Sequence, residues 1–272
     1  MILEYHRPSK IEDVLWLLAR AEPPTIPLGG GTALERFSSR PIAVVDLQSV
    51  GLNTIQRQGN TLQLGATLTL QNLADWLKSE KLENLAGLQQ ALAHEATYNL
   101  RQVGTVAGAL VTANGRSPFA TAMLALDASV SVQPGDSQSG DSQSGDEQVA
   151  LGDLLPFRIE RLSKRLITLV TIPLNARLAY ETVARSPADV PIVCAALAVW
   201  PSGRTRVALG GFGSSPVLAF DGSEAEGIEI AARAAYSQAE DEWASAEYRG
   251  EIAGVLVERC RNRLTEISAN DN

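Results

Sequence analysis

Two stretches of small residues concentrate the groups in this sequence that can bind a ligand. The first is Pro27-Leu28-Gly29-Gly30-Gly31-Thr32-Ala33-Leu34, which follows a short β-prone run from Thr25 to Leu28. Glycine tolerates positive φ and carries no side chain, so successive N–H groups can converge on a phosphate. The Thr32 hydroxyl adds a donor. A tight structural turn accounts for the same residues equally well. The spacing is not G-x-G-x-x-G, so the dinucleotide fingerprint of a doubly wound fold does not apply. The second stretch is Asn99-Leu100-Arg101-Gln102-Val103-Gly104-Thr105-Val106-Ala107-Gly108-Ala109-Leu110, again small residues around a threonine. Two such loops arriving from different strands can clamp a diphosphate from both sides.

The rest of the composition narrows the chemistry by exclusion. With 272 residues and 45% hydrophobic content, the chain suits one large domain or two to three smaller ones. A net charge of -8 repels phosphate backbones, which sets aside a nucleic-acid partner. No apolar stretch is long enough to span a bilayer, and MILEYHRPSK lacks the apolar core of a signal peptide, so a cytoplasmic location is expected. Two cysteines, Cys194 and Cys260, and two histidines, His6 and His94, cannot by themselves hold an iron–sulfur cluster or an ordinary zinc site. Both cysteines read as buried free thiols, and no metal ligand or catalytic side chain is assigned.

Helices and strands must alternate to hold the two loops. Ser9-Lys10-Ile11-Glu12 has the pattern of a capping box, and Ile11, Val14, Leu15 and Leu18 recur at helical spacing, predicting a helix that ends near Ala21. Ala43 to Leu47 reads as a buried strand and Thr61 to Leu64 as an alternating one. Helices are expected over Leu70 to Lys78 and Leu82 to His94, and Ser117-Pro118 reads as an N-cap and first helical turn. The tract 134–148, PGDSQSGDSQSGDEQ, has no apolar residue and is expected to be a disordered hairpin tip between Val130-Ser131-Val132 and Val149-Ala150-Leu151. Leu166 to Ile172, Leu178 to Val183, Ile192 to Trp200 and Thr205 to Leu209 read as strands, the last two joined by a hairpin at Pro201-Ser202-Gly203-Arg204. Helices over Glu224 to Tyr236 and Glu247 to Ile267 close the chain.

Taken in order, these segments resemble the FAD-binding medium subunit of molybdenum hydroxylases, the group of carbon monoxide dehydrogenase and xanthine dehydrogenase. Gly29 to Leu34 is similar to that family's PLAGGT-D-L loop, and Arg101 to Leu110 to its RN-x-GT-I-GG-N/S-L loop. Asp46-Leu47, Leu64-Gly65-Ala66, Met123 to Ala128, Leu166 to Pro173, Ala179-Tyr180-Glu181, Val183-Ala184-Arg185, Val207 to Gly211 and Ala246 to Arg249 also match in order.

The resemblance implies an α+β architecture: a two-part FAD-binding domain of the PCMH type over 1–55 and 56–173, then a C-terminal domain over 174–272 with an antiparallel sheet packed by helices. It assigns FAD to Leu28, Gly29, Gly30, Gly31, Thr32, Ala33 and Leu34, to Arg101, Thr105, Val106, Ala107, Gly108 and Ala109, and to Pro118 and Ile167. It also implies an iron–sulfur small subunit and a molybdopterin large subunit as partners, with electrons leaving [2Fe–2S] clusters through FAD for an external acceptor.

Five positions depart from the family pattern, four of them by losing its polar residue. Ala109 stands where the family has Asn or Ser, Pro118 where it has an Asp near the ribityl chain, Ala33 where it has a polar residue, and Thr182 where it has a lysine. Ala107 adds a methyl where glycine is usual. Each lost polar group removes a hydrogen bond worth on the order of 1 kcal/mol. A scaffold subunit of the same fold that has lost FAD is therefore the alternative reading.

Overall fold

A computed structural model describes residues 1–33, 41–135, 146–223 and 225–270, with side chains as far as 266. Leu34 and positions 136–145 of the polar tract lie outside the described residues. In chain order the elements are β1 (Ile2–His6), α1 (Ile11–Ala19), β2 (Thr25–Leu28), β3 (Ile42–Asp46), β4 (Ile55–Gln58), β5 (Thr61–Gly65), α2 (Leu70–Ser79) and α3 (Ala86–Glu95). Then come α4 (Tyr98–Arg101), α5 (Val106–Thr112), α6 (Pro118–Ala125), β6 (Ser129–Pro134), β7 (Glu147–Ala150), α7 (Leu151–Leu154), α8 (Arg158–Arg161) and β8 (Arg165–Pro173). The remaining elements are β9 (Arg177–Val183), β10 (Val193–Val199), β11 (Thr205–Gly210), β12 (Val217–Gly222), α9 (Ile228–Ala235) and α10 (Ala246–Asn270). The architecture is α+β.

Two compact units emerge, and they are interleaved along the chain. One comprises 1–73, 99–112 and 129–171; the other comprises 74–98, 113–128 and 172–272. The sequence-based division at 173 lies beside the last of these boundaries, at 171/172, whereas no boundary between the units falls at 55. Two stretches of the expected 56–173 segment cluster instead with the C-terminal residues.

The first unit holds two sheets. A parallel sheet runs β1-β3-β2, with β3 buried along its whole length, as expected for a strand flanked on both sides. Helix α1 covers it through Val14, Leu15, Leu17 and Leu18, packed with Val45, Leu47 and Leu166. The capping box does not form: α1 starts at Ile11, and Lys10 at the N-cap makes no side-chain hydrogen bond. Glu12 and Asp13 in its first turn face the positive end of the helix dipole instead. The second sheet runs β4-β5-β8-β6-β7. Its β6 and β7 are antiparallel partners, with Val132 opposite Glu147, so the polar tract does connect two hairpin strands.

The second unit is built on an antiparallel sheet, β12-β11-β10-β9. The expected hairpin closes with Val199 opposite Thr205, and Gly203 takes φ +86 at its turn. Val193, Ala195, Leu197, Val207 and Leu209 face a core completed by Ile228 and Ala232 of α9 and by Ala253, Leu256, Val257 and Cys260 of α10. Both cysteines are free and buried, and burial pushes the Cys194 thiol up to about 11. Arg249, with no exposed surface, donates to the carbonyls of Ala239, Ala244 and Ile192 and pairs with Asp241 at 2.7 Å. Burial works against the Asp241 charge, but Arg249, the Trp243 N–H and Arg116 outweigh it and hold the carboxyl at about 2. The Ser117 cap reads true: its hydroxyl accepts from Ala120 N–H at 3.1 Å, with Pro118 in the first turn of α6.

Candidate functional site

The two glycine loops meet within the first unit. The chain leaves β2 at Leu28 and turns through Gly29-Gly30-Gly31, where Gly31 takes φ +71. A Cβ on Gly30 would lie 1.7 Å from the carbonyl oxygen of Val103, and a Cβ on Gly29 would lie 2.6 Å from the Thr105 hydroxyl oxygen. The backbones of the two loops are therefore in direct contact, and glycine is the residue that permits it. Thr105 is buried at the start of α5 and accepts from Gly108 N–H at 3.2 Å. The same hydroxyl would sit 2.7 Å from a Cβ on Gly108. One side chain thus requires glycine in both loops.

The second loop is fastened to the turn after β5. Ala107 N–H donates to Ala66 O at 3.2 Å, Val106 N–H to Leu68 O at 2.8 Å, and Leu70 N–H to Gly104 O at 2.9 Å. These three bonds hold α5 at a fixed height against β5. Arg101, at the end of α4, donates through Nε to Gln71 at 3.0 Å.

Between the loops opens a cleft of about 300 Å³. Its walls come from Ile26 to Ala33 on one side, Thr105, Ala107, Gly108, Val111 and Thr112 on another, and Arg158, Arg165 and Ile167 on a third. Of the residues expected from the sequence, Leu28 to Ala33, Thr105, Ala107, Gly108 and Ile167 are brought together here. Arg101, Val106, Ala109 and Pro118 are not part of the wall. The helical period of α5 gives the reason: residues 107, 108, 111 and 112 share the cleft face, while Val106 and Leu110 turn into the core. Pro118 is buried in the first turn of α6, in the second unit. Thr182, on β9, donates to Val193 O at 3.4 Å. Arg158, Ala66 and Thr67 line the cleft as well. Ala66 belongs to a segment the sequence marks, but nothing in the pattern FRIERLSKR singles out Arg158.

The family described as "FAD binding domain in molybdopterin dehydrogenase" matches residues 1–175. The chain belongs to that family. It is a member of the molybdenum-hydroxylase medium-subunit group, and FAD is the cofactor of its domain. An uncharacterized protein of Escherichia coli K12, YgfM, is 27% identical over 94% of both chains. The 6-hydroxypseudooxynicotine dehydrogenase complex subunit alpha of Paenarthrobacter nicotinovorans is 29% identical, covering 94% of this chain and 92% of its own. The carbon monoxide dehydrogenase medium chain of Afipia carboxidovorans is 24% identical over 98% of both. Among solved structures, cyanide-inactivated Cu,Mo-CO dehydrogenase superposes with a TM-score of 0.79 over 97% of both chains at 24% identity. Quinoline 2-oxidoreductase from Pseudomonas putida 86 gives 0.74 over 94% of both at 23%. These two likenesses establish the shared fold.

The residues present suit a flavin nucleotide. Among the described residues no backbone carbonyl accepts from the N–H of Gly29, Gly30 or Gly31, so this turn lines the cleft with main-chain donors not taken up by other backbone groups. Backbone donors of that kind are suited to a diphosphate. The aliphatic walls, Ile26, Leu28, Val111 and Ile167, suit the uncharged parts of such a ligand. Among the described residues no helix is long and apolar enough to cross a membrane.

Proposed function

We propose that this chain is the flavoprotein electron-transfer subunit of a three-component hydroxylase. In this reading FAD lies on the Gly29–Thr32 and Thr105–Gly108 loops, and the partners are an iron–sulfur chain carrying two [2Fe–2S] clusters and a molybdopterin chain. The single observation that supports it most is the contact between the two glycine loops at the edge of a cleft with main-chain donors. Bound FAD supplies one- and two-electron redox chemistry. The chain itself binds, orients and shields it: Gly29 to Gly31 offer N–H donors, Thr105 fixes the spacing of the loops, and the aliphatic wall excludes water. No side chain of the cleft is assigned as acid, base or nucleophile.

The alternative, a scaffold subunit that keeps the fold without flavin, draws on the Ala107 methyl in the cleft wall and on the alanine at position 33. Titration separates the two. We expect the purified chain to be poor in FAD but to take it up when added, with measurable heat. FAD at about one hundred times its Kd should stabilise the protein by about 2.7 kcal/mol, seen as a rise in melting temperature. Absence of both heat and thermal shift at high micromolar FAD overturns the flavoprotein reading in favour of the scaffold. For the wider assignment, mixing with the iron–sulfur and molybdopterin chains should give a single complex in size-exclusion chromatography. A chain that elutes alone with both present refutes the subunit role.

A further inference from the structure

The described wall of the cleft carries four threonines, Thr32, Thr67, Thr105 and Thr112. Two of them have committed hydroxyls: Thr105 accepts from Gly108 N–H at 3.2 Å, and Thr112 donates to Gly108 O at 2.8 Å. Thr32 is exposed. Thr67, in the turn after β5, differs from all three. It is only 8% exposed, and among the described residues its hydroxyl has no hydrogen-bond partner, although its N–H donates to Leu52 O at 2.9 Å. The Tyr180 and Tyr236 hydroxyls are also unpartnered, but they are sealed in the core. The Thr67 hydroxyl is not sealed, and the surface that Thr67 keeps lines the cleft. A nine-tenths buried hydroxyl that bonds nothing costs free energy relative to a methyl group of the same shape. Folding alone therefore favours valine at this position.

We infer that Thr67 is a cofactor-binding residue whose hydroxyl donates to an oxygen of the flavin nucleotide, a ribityl hydroxyl or a phosphate oxygen. This rests on the flavoprotein reading above. The turn that carries Thr67 is held rigidly: Gly65 N–H donates to Thr54 O at 2.8 Å and Ala66 N–H to Thr168 O at 3.1 Å. Ala66 O in turn accepts from Ala107 N–H at 3.2 Å, which fixes the turn to the first residues of α5. The β-branched side chain is itself restricted in rotation. A donor placed in this way loses little freedom when it bonds a ligand. It supplies a side-chain hydrogen bond on the side of the cleft where Ala107 brings only a methyl group.

The test compares wild type, Thr67→Val and Thr67→Ser, by titration with FAD and with riboflavin and by thermal melts of the flavin-free proteins. Thr67→Val should weaken FAD binding roughly fivefold, the effect of one neutral hydrogen bond. The same flavin-free variant should melt no lower than wild type, because it keeps the shape and loses a hydroxyl that bonded nothing. Thr67→Ser should recover most of the affinity. A matching loss for riboflavin supports the inference and places the acceptor on the ribityl chain, whereas a loss confined to FAD supports it and places the acceptor on the diphosphate. An unchanged FAD constant in Thr67→Val overturns the inference and leaves the flavoprotein reading intact. So does a flavin-free Thr67→Val protein that melts several degrees lower, since its hydroxyl would then brace the turn. Wild type that binds no FAD at all overturns both.

Discussion

Replacing Gly30 by valine should abolish FAD uptake and lower stability by several kcal/mol. The first Cβ alone would fall 1.7 Å from Val103 O and 2.5 Å from its carbonyl carbon. Neither atom can rotate away, because both are main chain in a loop held by the Leu70–Gly104 and Val106–Leu68 hydrogen bonds. The loops must separate, and the cleft they form opens with them. Overpacking of ordinary core positions costs about 1 to 3 kcal/mol, and a rigid backbone obstacle places this substitution at or above that range. Gly31→Ala is the informative control. Its Cβ would meet nothing closer than Leu28 Cδ1 at 3.5 Å, and only the positive φ of +71 penalises it. That variant should lose about 1 to 2 kcal/mol and still bind FAD. Calorimetric titration with thermal melts checks both. A Gly30→Val protein that takes up FAD like wild type would show that the loop contact does not shape the site.

That contrast also marks what the sequence could convey about the site. The small residues of both loops are legible, because glycine and threonine runs after a strand are unusual enough to notice. Their cause is not. Taken alone, Gly30 suggests room for a phosphate, whereas the structure shows room for Val103, seventy residues further on. Ala109 belongs to the same run as Ala107, and only the phase of α5 separates the one that lines the cleft from the one that does not. Arg158 lies in a polar helical stretch whose composition fits any solvated face, so no local signal distinguishes it.

The fold divides in the same way. Strands with strong local patterns, β3, β5 and β8 to β11, stand within a residue or two of where alternation and apolar runs place them. Strand β1 escapes notice because it lacks alternation: Met1, Ile2, Leu3 and Tyr5 are all exposed at a sheet edge, and its partner is β3, some forty residues away. Strand β12 escapes for a similar reason, with Val217 and Leu218 both exposed. The interleaving of the two units is also invisible locally. Amphipathic spacing says that one face of α3 is buried, but its contacts are with α6 and β9, the latter some ninety residues downstream. Gly87 of α3 shows how close that approach is, since a Cβ there would meet Leu178 O at 2.6 Å.

Glutamate 95 gives the last expectation, and it concerns pH. Its carboxylate, at the end of α3, accepts from the Ser117 hydroxyl at 2.8 Å and from Phe119 N–H at 2.9 Å, joining α3 to the start of α6. Burial pushes its pKa up to about 7, against the lowering effect of the Phe119 and Ser117 donors. The unfolded chain releases this proton near the ordinary glutamate value of about 4.3. Between those two values the folded protein binds more protons than the unfolded one, so stability falls as pH rises. The contribution is fully present below the unfolded pKa and is lost as pH rises through about 7. Glu95 retains some exposed surface, so the full pKa difference, worth about 3.7 kcal/mol, is an upper limit on the loss. Glu95→Gln keeps an acceptor for Ser117 and Phe119 but has no charge to desolvate. It should therefore be more stable than wild type at pH 8 by about 2 to 3 kcal/mol, and within about 1 kcal/mol of it at pH 5. Glu95→Ala should be less stable at both, because two donors at the head of α6 lose their acceptor. Urea unfolding of the three proteins at pH 5 and pH 8 decides the matter. Equal stability differences between wild type and Glu95→Gln at the two pH values would show that this carboxyl is ionised throughout, and that the bond it makes to α6 carries no pH dependence.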